Sequence, residues 1–206
     1  MPPDLSLEKQ WWETGALRIA GVDEVWRGCL AGPVVAAAVI VSPELKPVSG
    51  VRDSKKLSPR RRLLLYGQIR SAGHHIALGA ATVAEIEQHN ILVATHIAMA
   101  RALEKLEYYD HILVDGSPIR DGRLGEHTAI VGGDDSSYSI ACASIVAKVV
   151  RDYLMRRLAR SYPGYGWETN AGYGTRVHLA GLQQHGVTPH HRQTFAPVRA
   201  RLQRGE

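Results

Sequence analysis

Two cysteines, Cys29 and Cys142, are the whole thiol complement of this 206-residue chain. That is too few for a disulfide framework, so both are expected as reduced, buried or half-buried thiols. No apolar run reaches the roughly 18 residues that a membrane span needs. The start, MPPDLSLEKQWW, lacks the basic-then-apolar order of a secretory signal. A cytoplasmic protein with no membrane association is therefore expected. Zinc chemistry lacks its ligands: the histidine pairs at 74–75 and 190–191 are adjacent, so neither presents two ligands on one helix face. There is no Walker-type phosphate loop, and no nucleophile-elbow pattern supports a serine hydrolase. Internal repeats, low-complexity tracts and linkers are also missing.

What is present reads as one globular domain. Hydrophobic residues make up 45% and charged residues 22%, and the length suffices for a sizeable core. The net charge of +5 is unevenly spread. From Lys148 onward there are ten Lys and Arg against three acids, Asp152, Glu168 and Glu206; before it, fifteen stand against seventeen. A basic last quarter is either a solvated helix face or a track for a phosphate backbone.

The periodicities predict an α/β domain with a mixed sheet. Residues 1–16 read as a polar lead-in, and Leu17 to Asp23 as a strand ending in acids. Val34 to Val41 is a continuous apolar run bounded by prolines, which suits a buried strand. Ser58-Pro59 is a helix start, with the helix stopping near Gly73. His75 to Ala81 is a candidate strand, and 82–106 a pair of helices broken near Asn90. His111 to Asp115 and Ala129 to Val131 are short strands. Ser139 to Arg160 is the strongest helix, apolar nearly all round in its first half, so it belongs in the middle of the domain. Even so, Ser144, Lys148 and Asp152 form a polar stripe along it at i, i+4 and i+8. Thr175 to His185 is the last clear helix, with Gly186 just past its end. The core is expected over about 17–160, with a basic helical part over about 161–206.

Three acid sites end or interrupt apolar elements: Asp23-Glu24 after RIAGV, Asp115 after HILV and Asp152 after SIVAKVVR. Buried carboxylates are costly unless paired or bound to metal. One such acid is most simply a strand-end cap; three sites in one small domain point to a shared purpose. Carboxylates converging at strand ends suit Mg²⁺ or Mn²⁺, hard ions that prefer oxygen. Two such ions would neutralise a scissile phosphate, activate a water and stabilise the leaving oxygen.

Together these residues resemble type 2 ribonuclease H in its bacterial ribonuclease HII form. The resemblance runs from Ile19 to about Val198. It rests on GVDE at 21–24, RG at 27–28, LAGPVVAAAVI at 30–40, DSKKLS at 53–58 and NILVATHIAMARALEKL at 90–106. It continues through VDG at 114–116, SIVAKVVRD at 144–152, YPGYGW at 162–167, GYGT at 172–175 and HRQTFAPV at 191–198. Their joint order is far more specific than any one motif. The resemblance implies a ribonuclease H-like fold with a mixed central sheet flanked by helices and a C-terminal helical part. It implies an endonuclease that cleaves RNA in RNA–DNA hybrids and at single ribonucleotides in duplex DNA. The ends left are a 5′-phosphate and a 3′-hydroxyl, and Mg²⁺ or Mn²⁺ is used. The family's catalytic, metal-binding acids map onto Asp23, Glu24, Asp115 and Asp152. Arg27 and Gly28 map onto a loop that reads the 2′-hydroxyl through backbone groups, and Tyr173 onto a tyrosine that stacks on the sugar. Lys55 and Lys56 are expected to touch phosphates. About 16 residues precede the first motif, which leaves no room for the extra N-terminal domain of the ribonuclease HIII branch. A monomer is expected.

The sequence departs from the family where the substrate is read. Residues 23–33 run Asp-Glu-Val-Trp-Arg-Gly-Cys-Leu-Ala-Gly-Pro; the family has Ala-Gly in place of Val25-Trp26 and Pro in place of Cys29. Tryptophan penalises the φ > 0 that glycine permits and obstructs close approach of a backbone. The family's usual Lys before GYGT is Ala171 here. Metal binding is therefore expected to survive while recognition of the ribonucleotide–DNA junction is altered. The alternative is a module that binds hybrids without cutting them.

Overall fold

The computed structural model describes residues 2–25 and 27–203; Trp26, on which the altered-junction expectation rests, lies outside the described residues. The chain runs through helix α1 (Ser6–Trp12), strands β1 (Ile19–Val25) and β2 (Val34–Val41), helix α2 (Pro59–Ser71), strand β3 (His75–Ala81) and helix α3 (Val83–Leu103). Strands β4 (His111–Asp115) and β5 (Thr128–Ile130) follow, then helices α4 (Tyr138–Ser161), α5 (Trp167–Asn170), α6 (Arg176–His185) and α7 (Ala196–Gln203). The sheet order is β3-β2-β1-β4-β5. β1 pairs antiparallel with β2 and β2 with β3, while β1–β4 and β4–β5 are parallel. This is the expected mixed sheet with flanking helices.

Side-chain alternation splits β2 between two layers. Ala36, Ala38 and Ile40 pack toward α3, against Ala94, Ala98 and Ala102. Ala37, Val39 and Val41 face α2 and α4, against Leu65, Ile69, Ala141 and Ile145. Both faces are covered, so every β2 residue is buried, which explains the unbroken apolar run. Two glycines let helices come this close. A Cβ on Gly21 would overlap the backbone of Ser139 and Ile140 in α4, and one on Gly79 the backbone of Ala98 and Ala102 in α3.

Capping fixes the helix boundaries as the sequence predicts. Ser58 accepts from the Arg61 N–H ahead of Pro59, and Thr82 forms a capping box with Glu85. Asn90 breaks α3 at φ 70°. Its Oδ1 accepts from the N–H groups of Leu92 (2.9 Å) and Val93 (3.1 Å), so it caps the second half of the helix. Thr175 caps α6 and Gly186 follows its end. Both cysteines are free and buried.

Residues 1–16 depart from the expected polar lead-in. α1 places Glu8 in the interior, where it accepts from the Ser137 hydroxyl (2.6 Å) and the Ser139 N–H (2.8 Å). Its carboxylate thus sits at the positive end of the α4 dipole. Trp11 stacks on His111 with ring centroids 3.5 Å apart. One seven-residue helix is too short to reveal itself by periodicity. Beyond α4, Tyr165, Trp167, Leu182 and Val198 pack around Leu30, Ala31 and Met155. This joins the C-terminal helices to the loop between β1 and β2. Among the described residues no helix is long and apolar enough to cross a membrane.

Candidate active site

Because β1 and β4 are parallel neighbours, with Val22 opposite Val114, their carboxyl ends emerge side by side. Asp23-Glu24 and Asp115 are the residues at those ends. Asp23 points to the α4 face, hydrogen-bonds Ser144, and accepts from the Glu24 N–H (2.7 Å). It is almost wholly buried. Burial, then the charges of Glu24 and Asp115, push its pKa well above the ordinary carboxylate value. Burial also raises Glu24, against the pull of Arg27. Asp115 is raised by burial, although its Oδ1 accepts from the Gly133 N–H at 2.7 Å. One buried and two half-buried carboxylates at neighbouring strand ends are an electrostatic cost of the kind that a divalent cation relieves.

Asp152 is placed differently. It lies two turns beyond Ser144 on α4, and both its oxygens accept from Lys148 Nζ at 2.7 Å. Arg62 approaches it at 3.7 Å. Among the described residues no three His, Cys, Asp or Glu side chains stand close enough to hold a metal ion as they are. The stripe predicted on α4 is thus one continuous polar line from Asp23 through Ser144 to the Lys148–Asp152 pair.

Asp23 and Glu24 line one side of a cleft of about 330 Å³, with Ser54, Lys55, Arg62, Ser144, Lys148 and Tyr173 around the rest. A larger groove of about 590 Å³, lined by Pro33, Val83, Leu154, Leu158 and Pro189 among others, carries no acid; the smaller cleft is the chemical one. Tyr173 is 45% exposed. Its backbone is pinned, the N–H donating to Asn170 O (3.0 Å) and the carbonyl accepting from His178 Nδ1 (2.8 Å). Its ring is presented to the cleft beside Asp23 and Glu24 and does not fill the core.

The other expected contacts are distributed around this cleft. Lys55 reaches Asp134 (3.1 Å) at its edge, whereas Lys56 is paired with Asp135 (2.6 Å) on the surface. Arg27 is half-exposed and pairs with Glu24 at 3.7 Å. Gly28 is exposed, with open space where a Cβ would be. Ala171 takes a left-handed conformation (φ 49°) as the C-cap of α5, and its side chain is buried beside Leu30 and Trp167. The Ala171 methyl group therefore faces the interior.

The family model described as Ribonuclease HII matches residues 20–198. The chain belongs to the ribonuclease HII family. It is accordingly an endonuclease, a hydrolase of phosphodiester bonds, and the resemblance in the motifs holds over nearly the whole chain. The ribonuclease HII of Thermosynechococcus vestitus is 55% identical over 194 residues, covering 94% of this chain and 91% of that one. The crystal structure of ribonuclease H2 from Pyrococcus horikoshii OT3 superposes with a TM-score of 0.75 at 24% identity, over 91% of this chain and 98% of that one. Bst-RNase HIII in complex with Mn²⁺ gives 0.70 at 21% identity, over 93% and 71%. The fold is that of these ribonucleases H.

Four residues of the ribonuclease HII cleft escaped the sequence reading. Asp134 adds a buried acid whose charge acts on both Asp23 and Asp115. Ser54 hydrogen-bonds Ser144 (2.9 Å), Arg62 reaches the Ser54 carbonyl (2.9 Å), and Gly133 donates to Asp115. Arg62 hides inside an Arg-Arg-Arg run and Asp134 inside a polar loop, so neither breaks a pattern. Burial is the only signal that marks them.

Proposed function

We propose that this ribonuclease H cuts the RNA strand of RNA–DNA hybrids and also cuts at ribonucleotides embedded in duplex DNA. The ends would be a 5′-phosphate and a 3′-hydroxyl. The observation that carries this reading is the meeting of Asp23, Glu24 and Asp115 at neighbouring strand ends, with Asp23 and Glu24 sharing one cleft with Tyr173.

An all-carboxylate donor set, in which burial first and neighbouring charge second raise the pKa values of Asp23, Glu24 and Asp115, fits Mg²⁺ or Mn²⁺. Asp23, Glu24, Asp115 and Asp152 would hold the ions, two with substrate bound; such ions supply charge neutralisation at the scissile phosphate and an activated water. Asp23 and Asp115 are the inner ligands of this reading. Asp152, paired with Lys148 in this structure, would complete the donor set for an ion, with the Lys148 ammonium beside it near the phosphate. Lys55 sits at the cleft edge and Lys56 lies further out, where a longer duplex passes. The backbone at Arg27-Gly28 and the Tyr173 ring read the 2′-hydroxyl, the group by which RNA differs from DNA. The bonding of 171–173 to the β1–β2 loop supports reading the whole chain as one domain.

Trp26, in place of the family's glycine, alters recognition of the junction. The test compares a continuous hybrid with a duplex carrying one ribonucleotide. The wild type is expected to favour the continuous hybrid. Trp26→Gly should raise cutting of the single-ribonucleotide duplex by about tenfold, a usual scale for a misplaced substrate set right. Equal cutting of both substrates, unchanged by Trp26→Gly, would remove Trp26 from the account.

A further inference from the structure

Arg151 and Arg192 are both fully buried. Taking a cation out of water costs several kcal/mol, of order, before its partners repay it. Their donors converge on one short stretch of backbone. Arg192 donates from Nε to the Gly32 carbonyl (3.0 Å) and from Nη1 to the Arg27 carbonyl (2.8 Å), and its own N–H donates to Leu30 O (2.8 Å). Arg151 donates from Nη2 to Ala31 O (2.7 Å), from Nε to Pro33 O (3.3 Å), and from Nη1 to the Ala171 carbonyl. Leu30 N–H closes the ring of contacts on Gly172 O (2.9 Å). Phe195 lies 5.2 Å beneath the Arg192 guanidinium. Burial pulls both guanidinium pKa values down to about 10, so both stay charged at neutral pH.

We infer that Arg192 and Arg151 are positioning residues, a guanidinium clamp that sets the spacing between the 27–33 loop and Tyr173 and so decides how strictly the enzyme registers a 2′-hydroxyl. The inference rests on the proposed reading of those two segments as the 2′-hydroxyl sensor. A guanidinium is suited to this because its donors form a rigid planar fork that spans two carbonyls, which an ammonium cannot do. The metal-binding acids are carried by β1, β4 and α4, so loosening the loop blurs substrate registration more than it disturbs the acids. Arg151 adjoins Asp152 in sequence; Arg192 comes from the C-terminal segment and is the cleaner probe.

The experiment measures kcat/KM of Arg192→Lys on a continuous hybrid and on a duplex whose cut strand has four consecutive ribonucleotides flanked by DNA. Few registers are productive on the second substrate. Its kcat/KM relative to the hybrid should fall about tenfold, mostly through KM, as expected when a substrate is misplaced by a fraction of an ångström. Equal losses on both substrates, or none, would show that Arg192 serves folding alone and overturn the clamp. If Arg192→Lys does not fold, Phe195→Leu replaces it, with a shift of about threefold expected on the same grounds and an unchanged ratio counting against the clamp. Tyr173→Ala separates the two layers of the proposal. If that variant leaves the ratio unchanged, the sensor reading itself fails. If it shifts the ratio while Arg192→Lys does not, only the clamp fails.

Discussion

Asp23→Asn is expected to abolish cleavage, leave hybrid binding within a few-fold of wild type, and make the metal-free protein more stable. The loss of rate should reach about three orders of magnitude, the scale seen when a preorganised electrostatic group is removed from a dry site. The stability effect has the opposite sign because Asp23 is buried among carboxylates. Its folded pKa lies above its unfolded value of 3.8, and Asp115 and Glu24 are shifted the same way. Groups of this kind bind protons more tightly when folded. Their stabilising contribution is complete below the ordinary carboxylate values and is lost as pH rises through the raised folded values. At neutral pH the Asp23 charge is thus a net cost that asparagine removes. Scanning calorimetry without metal should show Asp23→Asn gaining stability relative to the wild type as pH rises from below 3.8 to neutrality. Added Mg²⁺ or Mn²⁺ should lift the wild type more than the variant. A variant that cuts normally, or that melts lower at neutral pH, would contradict the assignment.

Gly21→Ala should have a large effect on folding. The new methyl group would overlap the Ser139 and Ile140 backbone, not a side chain able to turn away. β1 and α4 would have to part, at a cost of about 3 kcal/mol or more for overpacking of this kind. For a chain of this size that is a fall of roughly 6–12 °C in melting temperature. Activity should drop as well, because Asp23 lies two residues further along the same strand and bonds Ser144 on the displaced helix. Normal melting and normal cleavage would mean that the β1–α4 contact is looser than its geometry states.

The acids were legible because they violate a pattern. Asp23 and Asp115 end apolar strands, and Asp152 interrupts a buried helix, so a charge where the core should be draws the eye before any fold is known. The helix boundaries were legible for a local reason: Ser58, Thr82, Asn90 and Thr175 each cap within three residues of themselves. The clamp was not legible. Arg192 meets Gly32 across 160 residues, and an arginine in a basic C-terminal stretch looks like solvated charge until the fold buries it. Glu8 was hidden in the same way, since its partners Ser137 and Ser139 lie 129 and 131 residues further along the sequence. The convergence of Asp23, Glu24 and Asp115 follows from β1 and β4 being parallel neighbours, which no local pattern encodes.

The most direct measurement is a divalent-metal titration with an RNA–DNA hybrid labelled on the RNA strand, following product and bound complex together. Cleavage confined to the RNA strand, absent without metal, rising with Mg²⁺ or Mn²⁺ and lost in Asp23→Asn, is the predicted result. Tight binding of the hybrid with no product at any metal concentration would contradict it.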